Sequence, residues 1–368
     1  RTRSCDQVVA QVDGLAAGLL VVVEHVRMTR ATAAQAWRDG VDRVLRAPAI
    51  IVGVWLVTML ISVPLALSVR VELMNHLGTS LAAQSAAQSV NYEWMQEFAD
   101  QATGLGATVR PTIIGFAAVL DNLSAIADAV PRPVVVVGVA VAYVIVWLFL
   151  AGGIIDRYAR GRVTGAHGFF AACGGYFFRF LRLAIVMGVV YGFLFGLVHG
   201  WMFDELYPRI TRSVDVERTA FLIRGSLYLV FALLLAAANV MFDYAKVRAV
   251  VEDRRSAVGA VVAAVHFIRR HFAAAVSVYA LNVIVFGLTL AVYALLAPGA
   301  GSTGWLMWVG FAIGQLYVIL RVSVKLIFWA SETSLFQSRL AHAGYVAAPT
   351  PVWPDSPTAE ALRAAPTR

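Results

Sequence analysis

The residues of this chain that are best placed to do chemistry are polar groups set in stretches otherwise almost free of charge: Asp156, Asn239, Asp243, Asn282, Gln315, Arg321 and Lys325. Amides in an apolar setting seek each other as hydrogen-bond partners, and ionisable groups there must pair or mark a pathway. Asn282 and Gln315 fall near the middle of their stretches, so a hydrogen bond between them is feasible at matched depth. Arg321 and Lys325, one helical turn apart, reach the same level as Asn239 and Asp243, with Asp156 nearby. A girdle in which Arg321 or Lys325 pairs with Asp243 or Asp156 is expected, with snorkelling to lipid phosphate as the alternative. His199, Asp204, Glu205 and Arg224 suggest a second cluster at the opposite side.

Small residues supply a different signal. Gly188, Gly192, Gly196 and Gly200 recur every fourth position, and Gly310 and Gly314 repeat the spacing once. Such a stripe lets a neighbouring backbone approach closely, within the fold or across a homodimer. A substrate groove is the less ordinary reading of the same pattern. Phosphate-binding, zinc-protease and nucleophile-elbow signatures do not occur, and His266 and His271 lack ligand spacing. No catalytic, cofactor-binding or metal-binding residues are expected.

The elements that must position these groups follow from the silence of charge around them. Residues 47–69, 133–155, 183–203, 225–242 and 272–320 contain no Asp, Glu, Lys or Arg. A helix rises about 1.5 Å per residue, so about 20 residues cross a hydrocarbon core roughly 30 Å thick. The last run is twice that length and breaks at the Pro/Gly/Ser-rich 298–304, a turn between two spans. The spacing predicts an all-α polytopic membrane protein with six transmembrane helices.

Composition agrees: of 368 residues, 60% are hydrophobic and 14% charged, with a mean hydropathy of +0.74. A formal charge of +8 invites a nucleic-acid reading, but the cations are scattered through short loops, so nucleic acid is not expected as a partner. Among 30 basic residues only Lys246 and Lys325 are lysines, a skew read here as composition rather than chemistry.

Arginines cluster before the first span and between spans two and three and four and five, whereas acids dominate the alternate loops. By the positive-inside rule both termini face the cytoplasm. The extracytoplasmic loop 70–132 is the largest non-membrane element. Its helix-like segment from Pro111 is too short to span and reads as a surface cap, with a re-entrant half-helix as the alternative. Residues 1–27 form an extension of doubtful role, 28–345 the membrane domain and 346–368 a Pro/Ala-rich disordered tail. Cys5 and Cys173 fit neither a disulfide framework nor a zinc site.

Asp156-Arg157-Tyr158-Ala159-Arg160-Gly161-Arg162 closes the second span and Asp243-Tyr244-Ala245-Lys246-Val247-Arg248 the fourth. Each precedes a segment mixing aromatics with arginine, and Trp37 to Arg46 has similar style. Three units are expected, each an interfacial amphipathic helix followed by a helical hairpin. On these motifs the chain resembles uncharacterised bacterial six-helix integral membrane proteins. It is also distantly similar to the membrane domain attached to some glycerophosphodiester phosphodiesterases. The resemblance implies a multi-pass protein of the bacterial cytoplasmic (inner) membrane and brings no catalytic residues with it.

The first functional expectation is a non-enzymatic organising or accessory component, with the lipid bilayer and other membrane proteins as partners. The second is a small-solute or lipid permease, and the third an intramembrane lipid-modifying enzyme. Topology is directly testable. A cysteine introduced at position 88 should react with an impermeant thiol reagent on intact cells and one at position 254 should not; the reverse pattern would sink the orientation.

Overall fold

The computed structural model describes residues 31–340 except 79, 89–90, 111, 113–114, 162 and 298–303. The extension at 1–27, the tail at 346–368, Pro111 and most of the 298–304 turn therefore lie outside the described residues. Eleven helices follow in order: α1 (Ala33–Leu45), α2 (Pro48–Leu77), α3 (Ala82–Gln88), α4 (Tyr92–Gln101), α5 (Gly115–Ala127), α6 (Val134–Arg160), α7 (Ala166–Thr211), α8 (Glu217–Val251), α9 (Ala257–Arg270), α10 (Phe272–Leu296) and α11 (Trp305–Arg339). No strand occurs among the described residues. Six helices, α2, α6, α7, α8, α10 and α11, are long and apolar enough to cross a membrane. The fold is an all-α polytopic membrane fold.

Local chemistry sets the helix ends. Thr32 caps α1 and exchanges hydrogen bonds with Gln35, satisfying two donors of the first turn. Pro48 opens α2, where its missing N–H costs nothing. Ser256 caps α9, and Gly161, at φ 64°, ends α6 in the left-handed region.

Burial is lopsided. In the most apolar stretch of each span at most 22% of residues are buried within the protein, so lipid must cover the remainder. The core collects at the end of the bundle that holds residues 150–156 of α6, 242–251 of α8 and 329–336 of α11. We call this the packed end; it is the end beside the arginine-rich loops. Here α1 lays Ala36, Gly40 and Val44, one face of its helix, against α11. The contact admits no side chain: a Cβ on Gly40 would lie 2.6 Å from the Ser331 backbone nitrogen. Gly152 and Gly153 of α6 are similarly pressed against Tyr176 and Cys173 of α7, at 2.7 and 2.5 Å from an added Cβ.

The glycine stripe behaves otherwise. An added Cβ at Gly188, Gly192, Gly196 or Gly314 would meet nothing within 4 Å, and at Gly200 only Asp204 of the same helix. No described helix of this chain packs on the stripe, which corrects the intramolecular half of the expectation. Gly310 alone of the six is buried. Two π-helical segments, Leu194–Val198 and Trp201–Leu206, also interrupt α7 at this point.

The expected three units are realised in part. α1 and α9 are separate helices preceding α2 and α10, but the middle segment with Phe177 and Arg179 lies inside the continuous α7. His271 leaves helical geometry and separates α9 from α10, whereas no breaker stands between Arg179 and the third span. In the 70–132 loop, Trp94 and Phe98 of α4 pack on His76 of α2, and the Trp94 indole donates to His76 Nδ1 at 3.0 Å.

Overpacking a close contact costs about 1–3 kcal/mol, so Gly40→Ala should lower thermal stability in detergent while Gly192→Leu leaves it unchanged. Equal losses in the two variants would reject this assignment of the packing glycines.

Candidate functional site

At the packed end, α8 places Asp243 where its side chain is fully buried. Such a carboxylate must be compensated, and three groups converge on it. Lys246, three residues along α8, brings Nζ to 2.7 Å from Oδ1. Lys325 of α11 lies 3.7 Å from Oδ2, and the Trp329 indole donates to Oδ1 at 3.2 Å. Both ammonium groups also lie over the Trp329 ring, at 5.6 and 5.2 Å from its centroid, and Trp147 of α6 meets that ring edge-on at 5.5 Å. Trp329 is thus held by two cation–π contacts and by its own hydrogen bond to Asp243.

Above this cluster opens a cavity of about 720 Å³ between α2, α6, α7, α8, α10 and α11. Its volume falls in the range of small-molecule sites, roughly 300–1,000 Å³. Most of the wall is apolar, including Val144, Leu148, Val283, Phe286 and Val318. The polar exceptions are few. Asn239 donates to the Tyr279 hydroxyl at 3.1 Å, Thr58 and Tyr143 lie 3.2 Å apart, and Lys246, Arg321 and Lys325 bring positive charge. Among the described residues Asp243 is the one acid in ion-pair contact with any of these three cations. Lys325 is 37% exposed and Arg321 is exposed, so cationic surface faces the cavity beyond what Asp243 neutralises. An apolar chamber with cations at one end is complementary to an amphipath with an anionic head.

The other expected residues are distributed differently. Of the pairings considered for the girdle, Lys325 with Asp243 forms. Asp156 instead takes Arg160 of its own helix at 2.8 Å, and Arg321 has no acid beside it among the described residues. A carboxylate at the end of α6 is reached more cheaply by a side chain four residues on than by one from another helix. Asn282 and Gln315 do not meet. Asn282 is fully buried, accepts from the Trp37 indole at 3.1 Å and donates to Ser331 at 2.9 Å, tying α1, α10 and α11 together. Gln315 accepts from the Trp55 indole of α2 at 3.1 Å. Ser331 and Gln315 are sixteen residues apart on α11, about 24 Å at helical rise, so the two amides sit at different depths. At the open end Arg224 pairs with Asp128 rather than with Asp204 or Glu205, and His199 bonds the Ala127 carbonyl at 2.8 Å. The Tyr228 hydroxyl, followed by Ser124 and Arg224, holds the Asp128 carboxyl below its ordinary value.

Sequence reasoning passed over Lys246, Trp329, Thr58 and Tyr143, and also Glu332. Glu332 is fully buried, and neither of its oxygens has a protein hydrogen-bond partner among the described residues. A usable signal existed for one of these residues, Lys246. The chain spends 30 basic residues on only two lysines, and both converge on Asp243 and this cavity. Lysine is a compact point charge on a flexible stem, whereas the arginine fork needs a planar partner, so the choice has chemical content here. No grouping of His, Cys, Asp and Glu suited to a metal ion occurs among the described residues.

No protein-family model, curated protein or solved structure matches the chain.

Removing the buried acid should be costly. Asp243→Asn is expected to lower unfolding stability by about 3 kcal/mol, the low end for breaking a buried pair because Lys325 retains access to water or phosphate. Asp42→Asn, which breaks an exposed pair with Arg46, should produce no measurable change. Similar losses in both would show that Asp243 is not the anchor.

Proposed function

We propose that this protein is a lipid-handling permease of the bacterial cytoplasmic membrane, with both termini cytoplasmic, which holds an anionic amphipath in the cavity between its spans. One observation carries the reading: both lysines of the chain, with Arg321 beside them, face an otherwise apolar chamber at membrane depth. A soluble anion would gain from the cations but nothing from the walls, whereas an acyl chain gains from the walls as well. The cationic end lies toward the arginine-rich side, where anionic headgroups of the inner leaflet are within reach. Asp243 and Trp329 hold the two ammonium groups in place, and Arg321 supplies charge that no acid of the site offsets.

The accessory role has a separate observation in its favour, the face of α7 around Gly192 that no described helix covers. A drop in oligomeric size on Gly192→Leu substitution is the result that would move the reading there.

Purified protein exchanged into mixed micelles should retain phosphatidylglycerol in preference to phosphatidylcholine. Arg321→Gln should weaken that retention roughly fivefold, the factor that about 1 kcal/mol per interfacial cation supplies. Equal retention of the anionic and zwitterionic lipids, unaffected by Arg321→Gln, would overturn the proposal.

A further inference from the structure

A second cavity, of about 860 Å³, lies toward the open end between α2, α6 and the loop residues Leu105 and Thr108. It shares two wall residues with the first cavity, Thr58 of α2 and Tyr143 of α6. These two hydroxyls are hydrogen bonded to each other at 3.2 Å. Thr58 already donates its proton to the Val54 carbonyl at 2.9 Å, so Tyr143 is the donor across the gap. The two chambers therefore adjoin at this pair of side chains.

Charge is arranged at both ends of this pair. The second cavity is walled by Leu65, Val69, Leu73, Val136 and Val139, and its one cation is Arg70, an exposed residue for which the described residues supply no ion-pair partner. Arg70 lies twelve residues beyond Thr58 along α2, about 18 Å at helical rise. Lys246, Lys325 and Arg321 line the first cavity, on the other side of the Thr58–Tyr143 pair from Arg70. The shared wall on α6 runs over residues 136–151, about 22 Å, and that on α2 extends outward to Leu77. Together they cover most of a hydrocarbon core roughly 30 Å thick.

We propose that the two cavities are the halves of one path for an anionic phospholipid, with headgroup sites at Arg70 and at Lys246, Lys325 and Arg321, and that the Thr58–Tyr143 hydrogen bond is its closure. This rests on the binding reading above and adds movement to it. A headgroup passing from one site to the other meets the hydroxyls of Ser62, Thr58 and Tyr143 on the way, which substitute for water along otherwise apolar walls. The acyl chains lie along the apolar walls and run out into lipid, because both cavities open between helices whose flanking faces are exposed, as at Val63, Leu67, Val141 and Val144. α2 is the wall able to yield: Pro64, six residues beyond Thr58, carries no N–H and leaves the Leu60 carbonyl without its helical partner.

The test uses the full chain in liposomes that carry phosphatidylglycerol labelled on an acyl chain with a dithionite-quenchable fluorophore. Movement between leaflets is read as quenching beyond the outer-leaflet half. The wild-type protein should give slow movement above protein-free liposomes. Tyr143→Phe and Thr58→Val each remove the same hydrogen bond and should each speed movement about fivefold, the factor a hydrogen bond of ordinary strength is worth. The double variant should be no faster than either single one. Arg70→Gln should slow movement, and the part of phosphatidylglycerol retention in micelles that Arg321→Gln removes should be as large in this background as in the wild type. Retention that depends on Arg321, without movement in any variant, would overturn the path and leave the binding site standing. Movement indifferent to Tyr143→Phe, Thr58→Val and Arg70→Gln would overturn the path as drawn, and loss of retention altogether would remove the premise.

Discussion

The buried carboxylate of Asp243 is the constraint around which this molecule is organised. A charge with no exposure cannot be left alone in a low-dielectric interior, so the chain brings two ammonium groups and an indole to it. Meeting that requirement joins α8 to α11, and through Trp147 to α6. It also determines the character of the cavity, because the lysines that neutralise Asp243 on one side present their remaining charge on the other. Structural compensation and the positive charge of the cavity wall thus arise from the same four side chains.

Around this anchor the bundle is packed at one end and loose at the other. The packed end is drawn together by small residues: Gly40 admits α1 onto the Ser331 backbone, and Gly152 and Gly153 admit α7 onto α6. Polar bonds follow where the backbones come close. Arg43 donates to the Tyr158 carbonyl, and Gln337 to that of Ala159, so carbonyls at the end of α6 that lack helical partners are satisfied by α1 and α11. Two spaces are left open: one between α2, α6, α7, α8, α10 and α11, and one between α2, α6 and the loop residues Leu105 and Thr108. Lipid covers the rest, since nothing but the packed end needs to exclude it.

Much of this was legible along the chain and much was not. The six spans followed from runs free of charge, and the polar groups worth watching were the right kind of residue. Their partners were misjudged wherever depth alone was the guide. Asn282 bonds Ser331, which lies sixteen residues along α11 from Gln315, about 24 Å at helical rise, so the two amides are not level, and Asp156 was claimed by Arg160 of its own turn. The glycines that repeat most regularly contact no other helix of the described chain, whereas the solitary Gly40, with no pattern to announce it, holds the closest approach between α1 and α11. Spacing identifies a bare face; it does not say what arrives there. Lysine usage was the one compositional clue to the site, and it acquired meaning only when both lysines were seen on one carboxylate.

The sequence by itself determined the all-α membrane fold, because a hydrocarbon environment allows a spanning backbone no partners but its own and therefore demands long apolar helices. It also determined the ends of many helices, through Thr32, Pro48, Gly161 and Ser256, since caps act over three or four residues. Tertiary structure alone decided which faces meet. A lipid-embedded helix is apolar on nearly every side, so its sequence carries little record of its rotation, and the hydrophobic effect that orients helices in water is absent between them. Rotation is settled by close packing and by a handful of buried polar bonds whose partners are distant in sequence. For that reason the Asp243 cluster, the cavity above it and the Thr58–Tyr143 contact exist only in the folded molecule.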